Sequence, residues 1–515
     1  MSKQLPPRPN LDHLREQAKS LLSEFRQGVP EASARFVEHL PGLKQNAVAL
    51  HDAQSVVARE YGFPSWAKLI AHVEEVRARE GITPEIEAQF VAAAIDDMPD
   101  RVRRLIELYP SLPRFSAACA LVSAEVDLVR HVDPGQTLGP GGMTPIEYVA
   151  YSRIHAVCPD RYAAQLECAR DLLDRGADPN TYLRYRGEAK IPVLYGAAAE
   201  SQHIDIVRLL LERGAEPNDG ESIYHSAEKG RTDILELLGE HGAEFGPPSS
   251  HLCFLFYYRE YYESAPANLR GATWLLEHGA DPNVRCGDTS ETPLHSACRY
   301  TNESTLIGLL LDHGADPAAR DKFGNTPYQV AFASGNQAAL RLLESRGIRQ
   351  EPSRDHQFLA ACASNDVPLI RKAVAEEPEI ATRLSSEGDD LMRQFAETGR
   401  ADGLRGLIAA GFRLDGKDGF TPLHFAALRG QTDAAKVLIA SGAPLDIRDG
   451  EHHAAPIGWA CFGSVHHRSP SSDHAGVVRQ LIKAGSSVED ALEQMTNPDH
   501  SPDIVEAIRS SLPPS

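Results

Sequence analysis

Short apolar stripes, separated by polar connections that carry glycine, run through almost the whole chain. In Asp205-Ile206-Val207-Arg208-Leu209-Leu210-Leu211 the apolar positions cover a broad face at helical spacing. Leu294 and Ala297, and again Leu423 and Ala426, lie three apart on one helix face, where the small residue admits a close neighbour. Such stripes predict short amphipathic helices that cannot cover their own apolar faces and so must lie against others of the same kind. The first 80 residues follow another pattern. Leu11, Leu14, Ala18, Leu21, Leu22 and Phe25 keep helical spacing behind Asn10, a suitable N-cap. Further helices are predicted from Glu31 to Leu40, Ala47 to Tyr61 and Trp66 to Arg79, with Gly62-Phe63-Pro64-Ser65 as a turn.

Two motifs recur in fixed phase. Gly-Ala-Asp-Pro-Asn stands at Gly176 to Asn180 and Gly279 to Asn283, with variants at Gly214 to Asn218 and Gly314 to Ala318. Weaker copies begin at Gly242, Gly347, Gly411, Gly442 and Gly485. Thr-Pro-Leu-His-x-Ala stands at Thr292 to Ala297 and Thr421 to Ala426, with partial forms at Thr144, Ile191 and Thr326. The residue types explain themselves: Thr caps a helix, Pro at the first helical position gives up a donor that has no partner there, and Gly ends the second helix in the left-handed conformation. With a period of about 33 residues, these motifs resemble the ankyrin-repeat family. The resemblance covers Thr83 to the C-terminus, and Glu60 to Trp66 is similar to the N-terminal module of bacterial ankyrin-repeat proteins, which implies a bacterial source.

The expected fold is therefore an all-α solenoid: an N-terminal helical module over 1–80, an ankyrin-like array over 83–487 and a C-terminal cap and tail over 488–515. About twelve helix-turn-helix units are expected, starting near Thr83, Pro113, Thr144, Ile191, Ser222, Ser249, Thr292, Thr326, His356, Asp389, Thr421 and Ala455. A helix from Val488 to Leu512 is expected to close the stack.

Composition narrows the function. Against 52 Lys and Arg stand 72 Asp and Glu, a formal charge of −20 that disfavours nucleic acid as a partner. No apolar run approaches the roughly 18 residues of a membrane span. Eight cysteines without a Cys-x-x-Cys pair read as reduced thiols of a cytoplasmic protein. Cys119, Cys298, Cys362 and Cys461 each fall six residues after an expected unit start, which predicts one shared, packed helix position. The motif histidines His295 and His424 are expected to be structural, since the resemblance implies that they bond neighbouring loops.

Units three, six and twelve run 30 to 32 residues from first position to terminal glycine, where units seven and eleven take 22 and 21. Their insertions are rich in Tyr and His, side chains that combine contact area with a polar tip. The expected partner-binding residues are Tyr148, Tyr151 and His155 in unit three, Tyr257, Tyr258, Tyr261 and Tyr262 in unit six, and His466 and His467 in unit twelve. His452, His453, His466, His467 and His474 lack the spacing of a zinc protease, and phosphate-loop, Gly-x-Ser-x-Gly and dinucleotide signatures are absent. No catalytic residue, cofactor or metal is assigned. The resemblance implies a scaffold that binds another protein through its concave face and the three insertions. The alternatives are an enzyme, or a binder of a small molecule or metal, with a Tyr/His-lined pocket between the insertions, and a DNA-binding regulator acting through the N-terminal module. The module's 11 basic and 10 acidic residues give the last reading little electrostatic support.

Overall fold

The computed structural model describes residues 3, 5–6, 11–40, 48–78, 81–96, 98–139, 142–185, 189–246, 251–257, 265–287, 289–300, 304–416, 419–467, 469, 471–488, 491, 504 and 507–508. Its contacts sort into two compact units, Met1–Ala215 with Ile508–Ser515, and Glu216–Ala507. The expected closing helix from Val488 to Leu512 falls almost entirely outside the described residues.

The first unit begins with four helices, Leu11–Arg26, Pro30–His39, Leu50–Glu60 and Trp66–Ala78. Leu14, Ala18, Leu21, Phe36, Val56, Val57 and Leu69 form their shared core. Buried Glu60 ties the module together by accepting from Arg35 Nε at 2.6 Å and Lys3 Nζ at 2.8 Å. Four helix pairs follow: Pro84–Ile95 with Pro99–Leu108, Ala117–Val122 with Val126–Val129, Pro145–Tyr151 with Arg161–Asp174, and Val193–Tyr195, extended by a π turn Gly196–Glu200, with Ile204–Glu212. Between the third and fourth pairs the connection widens into two antiparallel strands, Tyr182–Tyr185 and Ala189–Pro192, with Tyr182 opposite Pro192.

Among the described residues, the second unit contains eight pairs. Their first helices are Ser222–Glu228, His251–Tyr257, Pro293–Tyr300, Pro327–Ala333, Arg354–Ala363, Ser385–Glu397, Pro422–Leu428 and Pro456–His466. Their second helices are Thr232–Glu240, Ala265–Glu277, Ser304–Asp312, Gln337–Ser345, Val367–Glu376, Ala401–Ala410, Thr432–Ala440 and His474–Ala484. Within each unit the first helices of most neighbouring pairs lie against one another, as do many second helices, so the apolar stripes are covered by a neighbouring pair; at pair nine the first helix Arg354–Ala363 packs instead on the second helix of pair ten. Close approach depends on small residues. Gly406 of the tenth pair leaves no room for a side chain, since a Cβ there would run into the backbone carbonyl of Cys362 in the ninth.

Two expectations need correction. Pair nine starts at its N-cap Ser353, three residues before His356, and pair two at Ser116, three after Pro113. Cys362 and Cys119 therefore stand nine and three residues beyond their caps, and do not share the position of Cys298 and Cys461, although all four are buried. The reduced state expected of all eight cysteines fails too: Cys253 and Cys286 form a disulfide, with Cα atoms 5.3 Å apart.

Leu423 is fully buried, whereas Leu369 is 53% exposed. Leu423→Ala is expected to destabilise the fold by about 2–5 kcal/mol and Leu369→Ala by less than about 0.5 kcal/mol, read from urea denaturation. Equal losses would contradict the packing described.

Candidate recognition surface

The two motifs work as connectors between pairs. In the loop motif the third residue is Asp or Glu, and its carboxylate takes the backbone N–H of the Asn two residues on: Asp178 from Asn180, Glu216 from Asn218 and Asp281 from Asn283. The Asn amide then reaches the next copy of the loop. Asn180 donates to the carbonyl of Gly214 at 2.9 Å, Asn218 to that of Gly242 at 3.2 Å and Asn283 to that of Gly314 at 3.0 Å.

The motif histidines bridge in the same manner. His295 Nδ1 accepts from the backbone N–H of Thr292 at 3.1 Å, and Nε2 meets the carbonyl of Asn325, 3.0 Å away, on the following loop. His424 repeats the arrangement with Thr421 and Ala454. Both sit in fully buried surroundings, and burial holds His295 below its ordinary pKa, which favours the neutral ring that this geometry requires.

A third connector escaped the sequence reasoning. Eleven residues before the terminal glycine stands a polar side chain that holds the end of a first helix. Gln165 donates to Val149 O and Ser152 O, Asn336 to Cys298 O, and Arg400 to Ser334 O at 2.6 Å and Ala363 O at 3.4 Å. His474 Nε2 meets Leu428 O at 2.9 Å. The residue type changes from unit to unit, so only its constant distance from the glycine gives it away.

The insertion of unit three does structural duty. The second helix of pair two is a single turn, Val126–Val129, and the inserted helix Ile154–Val157 packs against Pro99–Leu108. Ser152 Oγ donates to Val122 O at 2.6 Å, while buried Glu125 receives Arg161 at 2.8 Å and also Arg114. Tyr148 and Tyr151 are each 3% exposed and present no surface to a partner. Tyr148 OH donates to Leu138 O and Tyr151 OH to Pro192 O. Half-buried His155 meets Gln165 Oε1 through Nδ1 and lies edge-on to Tyr162 and His203, which stack at 3.7 Å.

The other two insertions are placed as follows. Tyr257 ends the helix His251–Tyr257, and Tyr258, Tyr261 and Tyr262 lie outside the described residues. His466 ends the helix Pro456–His466, and His467 is buried against Phe462, their ring centroids 5.8 Å apart. Phe462, which sequence reasoning passed over, is 45% exposed on that helix. An exposed large aromatic in the middle of a helix stripe is the signal that marks it.

The face made by the first helices is not uniformly open. The helix Ser385–Glu397 crosses it at pairs seven to nine. Its Gln394 amide donates to Arg299 O, and Arg393 donates to Tyr300 OH at 3.0 Å. Between this helix and the three pairs lies a cavity of about 310 Å³ whose lining includes Arg299, Gln329, His356, Leu359, Glu387 and Leu391. Burial works against the charge of Arg299, but Glu291 beside it more than offsets that and raises its pKa. Burial also raises Glu387 and Asp390 above the usual carboxylate range. Among the described residues, no three His, Cys, Asp or Glu side chains are grouped to hold a metal ion, and no helix is long and apolar enough to cross a membrane.

A family model for ankyrin repeats matches three stretches, residues 154–248, 264–353 and 358–449, together more than half of the chain. Ankyrin repeat and SOCS box protein 11 of Danio rerio is 33% identical over 125 residues, 24% of this chain and 39% of that protein. Human SH3 and multiple ankyrin repeat domains protein 2 is 28% identical over 201 residues, 38% of this chain and 10% of that protein. Human Rabankyrin-5 is 25% identical over 203 residues, 32% of this chain and 17% of that protein. The chain thus spans well under half the length of these curated relatives.

Burial lowers the pKa of His155, His203, His251, His295 and His356, His251 to about 4. In the unfolded chain these rings take up protons near pH 6.5, whereas in the fold they resist, so their contribution is present above that pH and lost as the pH falls. His225 opposes the trend: burial lowers its pKa, but Glu221 and Glu228 more than compensate and raise it. The melting temperature is expected to fall by several degrees between pH 7.5 and 5.5, measured by differential scanning fluorimetry. A flat or rising profile would show that the five rings are not held neutral.

Proposed function

Since the chain belongs to the ankyrin-repeat family, we propose that it is a scaffold that binds another protein and does no chemistry of its own. The observation that carries this reading is the way the polar side chains are used. The motif Asn and His residues, together with Asn336 and Arg400 at the helix ends, hold one pair to the next, and the motif Asp residues and Gln165 hold loop and helix end within a pair, so what is left for a partner is surface. That surface is the part of the first-helix face that Ser385–Glu397 leaves open, together with the insertions of units six and twelve.

In unit twelve the contact is centred on Phe462, an aromatic anchor of the type that dominates protein interfaces. Buried His467 supports the ring, and His466 is proposed as a further contact. In unit six the proposed contacts are Tyr257, Tyr258, Tyr261 and Tyr262. The insertion of unit three, with Tyr148, Tyr151 and His155, contributes indirectly by completing the fold around pair two. The location proposed for the protein is the cytoplasm.

The test is affinity capture from a cell lysate with the full-length chain as bait, followed by mass spectrometry. Phe462→Ala and the fourfold Tyr257, Tyr258, Tyr261 and Tyr262→Ala variant serve as comparisons, with circular dichroism melts to confirm folding. Specific partners are expected to be lost at least tenfold with one or both variants. Undiminished recovery by both would remove these residues from the interface.

A further inference from the structure

The loops that enter the first helices share a backbone closure, and its first residue is anchored differently in each. The N–H of Leu138 bonds to Met143 O at 2.9 Å, that of Cys286 to Glu291 O at 2.7 Å, that of Asp321 to Asn325 O at 2.9 Å and that of Asp449 to Ala454 O at 3.1 Å. These four residues occupy one structural position, five or six residues before the first position of the unit.

In two of the loops that position is a buried aspartate that holds the loop by its carboxylate. Asp321 accepts from the N–H groups of Phe323 and Asn325 at 2.9 and 2.8 Å. Asp449, fully buried, accepts from the N–H groups of Glu451 and Ala454 and from Trp459 Nε1, the last at 2.9 Å. In the Leu138 loop the Tyr148 hydroxyl takes over, bonding to Leu138 O. The loop before Pro293–Tyr300 has neither a carboxylate nor a tyrosine at this place. It has Cys286, joined to Cys253 on the first helix of pair six.

We propose that the Cys253–Cys286 pair is a redox modification site in which a disulfide does covalently what the aspartate does in the other loops, so that this loop is fully fixed only after oxidation. The step is the loss of two protons and two electrons from two thiols as the S–S bond forms. A disulfide oxidant, such as glutathione disulfide, takes up both electrons and leaves as two thiols. The bond brackets the unit-six insertion, which lies between the two cysteines in sequence, and the loop it anchors carries Glu291, the buried partner of Arg299. Four of the other cysteines do not compete. Burial pushes the Cys119 thiol up to about 11 and those of Cys168 and Cys362 up to about 12, and it raises Cys298 as well, leaving them protonated and poorly nucleophilic.

The test uses the full chain refolded from guanidinium either with a glutathione and glutathione disulfide couple or with excess dithiothreitol. Alkylation and peptide mass spectrometry of the first sample are expected to show Cys253 linked to Cys286; two alkylated thiols there would overturn the proposal. Hydrogen exchange is then compared in the peptide spanning Arg285 to Glu291. Reduction is expected to speed its exchange at least tenfold while the Asp449 loop is unchanged, and equal exchange in the two samples would also overturn it. A Cys253→Ser, Cys286→Asp double variant is expected to keep this loop protected in dithiothreitol. A folded double variant whose loop exchanges as fast as in the reduced wild type would refute the equivalence with aspartate. If that variant does not fold, the comparison of the two wild-type samples decides.

Discussion

A pair of short helices has more apolar surface than it can cover by itself, and that constraint shapes this protein within each of its two compact units. Leu294, Leu423, Ile206, Leu210, Leu238 and Leu438 are all buried, because the pair before or after closes over them. Their burial stabilises the fold only while the neighbouring pair is in place, which makes the interface between pairs the cooperative element. Polar groups then fix the register that apolar contact leaves loose. Asn283 reaches Gly314 O, His295 reaches Asn325 O and Asn336 reaches Cys298 O, so successive pairs are held at a loop, at a helix start and at a helix end.

Much of this was legible in the sequence, for a physical reason. Thr144, Thr326 and Thr421 mark helix starts because an N-cap and a following proline suit a single backbone geometry, and they sit where expected. Gly411 and Gly485 mark helix ends because each adopts the left-handed conformation that favours glycine. The legibility stops where a different residue meets the same need. Pair nine is capped by Ser353 in place of Thr, three residues ahead of the expected start at His356. Pair ten begins at Ser385, ahead of the expected Asp389, in a helix of 13 residues that reaches across earlier pairs. Nothing in the local pattern of that helix records contacts with Arg299 and Tyr300, which lie more than 90 residues away.

The insertions show why unusual composition is a weak guide to function. Unit three is long and rich in Tyr and His, yet its extra residues pack where pair two has only one turn of second helix. Its tyrosines are spent on Leu138 O and Pro192 O within the fold. The disulfide illustrates the opposite case: Cys253 and Cys286 looked unremarkable in a count of eight, and only folding sets them opposite each other. Ser385–Glu397 interrupts the first-helix face, and the exposed Phe462 at pair twelve is the anchor we propose for a partner.

The most direct test of coupling between neighbours is native-state hydrogen exchange of the Asn336→Ala variant, resolved by peptide along the chain. Asn336 belongs to pair eight, but its amide holds Cys298 O at the end of the first helix of pair seven. The account predicts faster exchange in Pro327–Ser345 and in Pro293–Tyr300, with Pro422–Leu428 unchanged. Loss of protection confined to residues 336–345, or spread equally over the whole chain, would contradict it.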